Sequence, residues 1–234
     1  MKNCRFSDCP RNQREKLPIL FDREKDSLTE IRFLVLSQEP GASLRKTYSN
    51  SIDIEKYLIR QCASTPNPWK VGLPAKIREI FNRKFDPRTG EIYWTHALKC
   101  VPRSDQDIKT EWEKCAHLCR CHLIDELGLI PSERLAIITL GNYALAMSRH
   151  LFEREPLSDT KGIMKCISTT DPEKEVGFRG KKISLFPFVH PARREAVLEL
   201  YDKGRIVKNR EKEFVERIRQ MDRDCRIHSG IDPV

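Results

Sequence analysis

The side chains best equipped for chemistry in this chain stand where apolar runs end. Gln38 and Glu39 follow the run Ile31–Ser37, His96 lies near the end of a run from Glu91 to Cys100, and His190 follows Ile183–Val189. A carboxylate such as Glu39 can position and polarise a water, and an imidazole can donate a hydrogen bond in either protonation state. Sulfur forms a second group. There are nine cysteines, with Cys4 and Cys9 early, Cys100, Cys115, Cys119 and Cys121 in the middle, and Cys62, Cys166 and Cys225 scattered. No apolar leader follows Met1, so the expected compartment is the reducing cytoplasm. There, cysteines read as metal ligands, reactive thiols or small buried hydrophobes rather than as a disulfide framework.

The elements that must position these groups follow from hydrophobic patterning. Residues 31–37, 91–100, 135–141 and 183–189 are short apolar runs rich in β-branched and aromatic residues, and read as strands. Helical spacing marks 51–63, 75–85, 105–127 and 142–152, followed by helices at 192–203 and 207–221, the last read as a solvated face of alternating charge. Residues 155–182 read as a long loop or a hairpin. Near-continuous apolar strands alternating with helices predict an α/β fold: three αβα layers around a mostly parallel four-stranded sheet, in one domain over 1–234. In such a sheet, functional groups gather beyond the carboxyl ends of the strands. Gln38, Glu39, His96, the Gly141-Asn142 step and His190 are all expected on that one rim. Residues 1–30 form a polar N-terminal segment and 222–234 a charged tail.

Composition sets the class. Hydrophobic residues make up 39% and charged residues 33%, which fits a folded soluble protein and excludes a disordered one. No run approaches the ~18–20 apolar residues of a membrane span. The 43 basic against 34 acidic side chains give +9, which suggests an anionic partner such as nucleic acid.

Four segments in this order resemble the uracil-DNA glycosylase superfamily, most closely its iron–sulfur branch, family 4. Ser37-Gln38-Glu39-Pro40-Gly41 is similar to the first motif of the superfamily. Tyr93-Trp94-Thr95-His96-Ala97-Leu98-Lys99-Cys100-Val101-Pro102 is similar to the branch's Tyr-x-x-Asn-x-x-Lys-Cys-x-Pro segment. Leu140-Gly141-Asn142-Tyr143-Ala144 resembles its Leu-Gly-x-x-Ala exit, and His190-Pro191-Ala192 its His-Pro-Ser motif.

The resemblance covers most of residues 1–203 and implies a monofunctional DNA glycosylase. Such an enzyme flips a base out of DNA and hydrolyses its N-glycosidic bond through an oxocarbenium-like transition state. It implies that Glu39 positions the water, next to Gln38, which occupies the place of the branch's acid. His190 would donate to the oxygen of the departing base. His96 replaces the asparagine that reads the pyrimidine edge. Tyr48 would stack on the flipped base, with a core position as the equal alternative; Tyr93, Trp94 and Trp112 are expected in the core. Arg193 and Arg194 fall where the family places a wedge and would insert a guanidinium or clamp a phosphate, and Lys70, Lys99 and Arg103 are expected as further DNA contacts.

The resemblance further implies that Cys4, Cys9, Cys100 and Cys115 hold a [4Fe–4S] cluster, with zinc the second choice for a thiolate site. The Cys4–Cys9 spacing, four intervening residues, is wider than the branch's usual two, and Cys119 could stand in for Cys115. With His96 for asparagine, the expected substrate is a modified pyrimidine, such as a hydroxymethylated or glucosylated cytosine of phage DNA removed in antiviral defence. Uracil removal in base-excision repair is the alternative, as is a non-catalytic DNA-binding or cluster-based sensor on the same scaffold. The protein is expected to act as a monomer, with DNA as partner and no membrane.

Overall fold

The computed structural model describes Cys9, Phe21, Arg23 and residues 26–38, 43–64, 72–101, 105–153, 155–157, 162–171, 174–191 and 204–228. Its centre is a five-stranded sheet with β1 at Phe33–Ser37, β2 at Ile92–His96, β3 at Arg134–Leu140, β4 at Glu175–Phe178 and β5 at Lys181–Phe188. The strand order is β2-β1-β3-β5-β4, parallel throughout except for the antiparallel β4–β5 pair. The expected four strands are therefore all present, and the correction is a fifth. β4 lies within the stretch read as a loop or hairpin. It joins β5 through Arg179 and Gly180, both at positive φ (48° and 79°), as a tight two-residue hairpin requires. As an edge strand it needs backbone pairing more than an apolar run, so periodicity did not mark it.

Helices α1 (Ser43–Thr47), α2 (Ser51–Ala63) and α3 (Leu73–Phe81) connect β1 to β2. Asn50 caps α2 by accepting the Asp53 N–H at 2.9 Å, and α3 begins with Pro74 and ends on Asn82 in the left-handed region. α4 (Asp105–Leu129) crosses from β2 to β3, and α5 (Asn142–Phe152) and α6 (Ile163–Thr169) follow β3. α7 (Gly204–His228) continues past residue 221 into residues expected as tail. The helix expected at 192–203 lies outside the described residues. Among the described residues, no helix is long and apolar enough to cross a membrane.

β1 and β2 are buried throughout, β3 beyond Arg134 and β5 over its second half, as parallel strands covered on both faces must be. Trp94, Phe33, Phe186, Phe188 and Phe214 are the largest fully buried side chains. From the N-terminal segment, Cys9 and Phe21 are buried in this core, and the Phe21 ring lies 5.2 Å from that of Trp94. α7 corrects its reading as a solvated face. Val207, Glu211, Phe214, Ile218 and Asp222 form a buried stripe at helical spacing, and the helix packs against α3 and α6. Two carboxylates inside that stripe break its apolar appearance in the sequence.

Candidate active site

Strand register builds the rim. Ser37 at the end of β1 pairs with His96 of β2 and with Leu140 of β3, and Leu140 pairs with Phe188 of β5. Four strands thus end in one row, and Gln38, Gly141 and Val189 are the next residues out. Chain order adds a switch point: β1 connects towards β2 on one side and β3 towards β5 on the other. The crevice between the carboxyl ends of β1 and β3 is where ligands bind in sheets of this kind.

The β1 and β2 ends are tied together by backbone. Ala97 N–H donates to the Ser37 carbonyl at 2.8 Å and Leu98 N–H to the half-buried Gln38 carbonyl at 2.9 Å. The Trp94 indole N–H donates to Ser37 Oγ at 3.0 Å. His96 is 1% exposed, and its ring stacks on Trp94 at 5.3 Å and 25°. Among the described residues, neither ring nitrogen has a hydrogen-bond partner. Burial, assisted by the nearby Lys99 charge, pushes the His96 pKa down to about 3, so the imidazole is neutral at ordinary pH. A neutral imidazole presents one donor and one acceptor, and here both are unused.

Lys99 does not take the expected place of an exposed phosphate contact. Its ammonium is buried and donates to Glu126 Oε2 at 2.7 Å and to Thr95 Oγ1 at 2.6 Å, while Thr95 Oγ1 donates to the same carboxylate at 2.9 Å. This pair joins α4 to the turn after β2. Motif position alone could not distinguish a lysine on the rim from one folded beneath it.

The β5 end is braced differently. Gly141 has φ 95° and donates its N–H to the Phe188 carbonyl at 2.9 Å. A Cβ there would meet His190 Cβ at 3.0 Å and Cδ2 at 3.3 Å, so the half-buried His190 ring lies directly over the glycine. Val189 N–H donates to Glu211 Oε1 of α7 at 2.8 Å. Sequence reading recognised Gly141 only as a strand exit and missed Glu211. The available signal was the four-, three- and four-residue spacing from Val207 through Glu211 and Phe214 to Ile218.

Tyr48 is half-buried against Tyr57, with ring centroids 5.4 Å apart. Tyr93, Trp94 and Trp112 are in the core, as expected. Glu39, Lys70, Arg103, Arg193 and Arg194 lie outside the described residues.

Of the expected cluster ligands, Cys4 also lies outside them. Cys9 and Cys115 are both buried, and their sulfurs approach to 3.9 Å although 106 residues separate them in sequence. Cys100 is half-buried, and Cys119 is buried one helical turn beyond Cys115. Among the described residues, no group of three or more histidines, cysteines or acids could hold a metal ion. Two soft sulfur donors converging from distant segments fit part of a thiolate site.

A family model described as the uracil DNA glycosylase superfamily matches residues 27–220, well over half of the chain. No curated protein matches the sequence.

Proposed function

The chain belongs to the uracil DNA glycosylase superfamily, whose members act on DNA, and from that membership we propose that it is a monofunctional glycosylase specific for a modified pyrimidine rather than uracil. The observation that carries the specificity is His96: buried, neutral and, among the described residues, with both nitrogens unpartnered, at the position where the family resemblance puts the edge-reading residue. Buried polar atoms without partners are costly, and a bound ligand can relieve that cost. An asparagine amide meets a base edge with donor and acceptor side by side. An imidazole turns one nitrogen at a time towards the base, and its tautomer can suit an acceptor or a donor. Uracil's paired donor and acceptor are then no longer matched together, and a different pyrimidine, such as a cytosine carrying a hydroxymethyl or glucosyl group, is the proposed substrate.

In the proposed reaction, the N-glycosidic bond breaks as positive charge grows on the sugar and negative charge on the base. His190 donates to the oxygen of the departing base. The carboxylate of Glu39 orients water towards C1′ and offsets the sugar's charge. α5 starts immediately at Gly141, so the positive end of its dipole lies at the same rim. Cys4, Cys9, Cys100 and Cys115 would hold an iron–sulfur cluster that clips the N-terminal segment to α4. Removal of phage-modified bases would make the enzyme an agent of antiviral defence.

The test is base release from matched duplexes carrying uracil, cytosine, hydroxymethylcytosine or glucosylated cytosine. Wild type is expected to release a modified base, H96N to shift release towards uracil, and E39Q to release little from any duplex. Release from uracil DNA alone sinks the modified-base assignment, and undiminished release by E39Q sinks the role of Glu39.

A further inference from the structure

α7 carries a carboxylate where packing alone would favour an apolar side chain. Glu211 lies between Val207 and Phe214 on the buried stripe and is 2% exposed. Its Oε1 accepts the Val189 N–H at 2.8 Å, and Val189 immediately precedes His190. At this point β5 has run past its pairing with β3, because Phe188 is its last residue in register. The next backbone N–H therefore needs a partner from elsewhere, and Glu211 supplies one. A carboxylate on a backbone N–H makes a stronger and more directional bond than a neutral acceptor.

Two further contacts hold the same strand end. Gly141 N–H donates to the Phe188 carbonyl, and Lys76 Nζ of α3 sits 5.5 Å from the centre of the Phe188 ring. α7 is also tied directly to α3: Arg219 donates to the Ile80 carbonyl at 2.9 Å and to the Glu79 carbonyl at 2.6 Å.

We propose that Glu211 is a positioning residue: through the Val189 amide it sets where His190 stands to meet the departing base. Its catalytic consequence rests on the glycosylase reading, whereas the contact itself does not. Misplacing a reacting group by about 1 Å can lower a rate by about 10²-fold.

The experiment compares wild type, E211A, E211Q and, as a control on the same helix, the exposed Glu216→Ala. It reads kcat and KM for base release, the Val189 amide resonance and the His190 imidazole resonances. E211A is expected to move the Val189 and His190 resonances and to lower kcat by about 10²-fold, leaving KM within a few fold. E211Q keeps an acceptor oxygen and should restore most of kcat, and E216A should match wild type. If E211A does not fold, E211M fills a similar volume without an acceptor and takes its place. Unmoved Val189 and His190 resonances with unchanged kcat overturn the proposal, and so does E211Q behaving like E211A. If wild type releases no base from any DNA, the glycosylase reading fails, while the Val189 resonance still decides the contact.

Discussion

The two histidine-bearing strand ends of this sheet are built on opposite plans. At the end of β2, His96 is buried, stacked on Trp94, neutral, and without a polar partner for either nitrogen among the described residues. At the end of β5, His190 is half-buried and braced. A glycine lies beneath its ring, and a carboxylate from α7 holds the preceding amide. Under the proposed glycosylase reading, that contrast is a division of labour. A residue that reads a ligand can keep its hydrogen-bonding capacity unspent. A residue that must meet a developing charge has to be in place beforehand, because stabilisation then needs no rearrangement at the moment of reaction.

The largest expected effect tests what underlies the β2 end. Lys99→Met leaves Glu126 buried without its cation, and breaking such a pair costs about 3–5 kcal/mol, read as a fall in denaturation midpoint. Exchanging both members for apolar residues of similar size should recover most of the loss. If Lys99→Met is as stable as wild type, the pair does not hold the His96 turn.

Next comes the β5 end. His190→Ala should lower kcat for base release by about 10²–10³-fold, as loss of a charge-stabilising donor does elsewhere. His96→Asn should instead change which base is preferred. Equal losses on every base from both variants would erase the proposed division. A smaller effect is expected from Gly141→Ala, which places a side chain at φ 95° and pushes on His190. Strain of this kind is worth about 1–3 kcal/mol, and activity should fall further than stability alone explains.

The last effect is on pH. The His96 pKa is about 3 in the folded protein, against a usual value near 6.5 in the unfolded chain. Between those values the unfolded chain binds the extra proton, so this contribution to stability is complete above pH ~6.5 and is lost as pH falls towards 3. Thermal melts of wild type and His96→Asn should therefore converge or cross as the solution is acidified. Parallel curves would mean that His96 titrates normally.

These contrasts also show what the sequence could carry. Strands β1, β2, β3 and β5 were legible because burial on both faces demands continuous apolar runs, and the residues just beyond them were thereby placed on one rim. The edge strand β4 was legible only as one arm of a possible hairpin within 155–182, because its four residues include no apolar run and none is fully buried. The α7 stripe was masked because Glu211 and Asp222 put carboxylates at two of its positions, so the helical spacing was there without its apolar character. His96 and His190 could be named from their strand-end positions and the family resemblance. The glycine beneath His190 and the pairing of Lys99 under the rim depend on tertiary approach, which spacing along the chain does not report.

The central claim is chemical, and the most direct measurement is mass-spectrometric detection of free base after incubating wild type and His190→Ala with unmodified, uracil-containing and glucosylated or hydroxymethylated phage DNA. Wild type is expected to free a modified pyrimidine from the phage DNA and little uracil, and His190→Ala to lose about 10²–10³-fold. Free uracil as the sole product, or no free base from any of the DNAs, would contradict it.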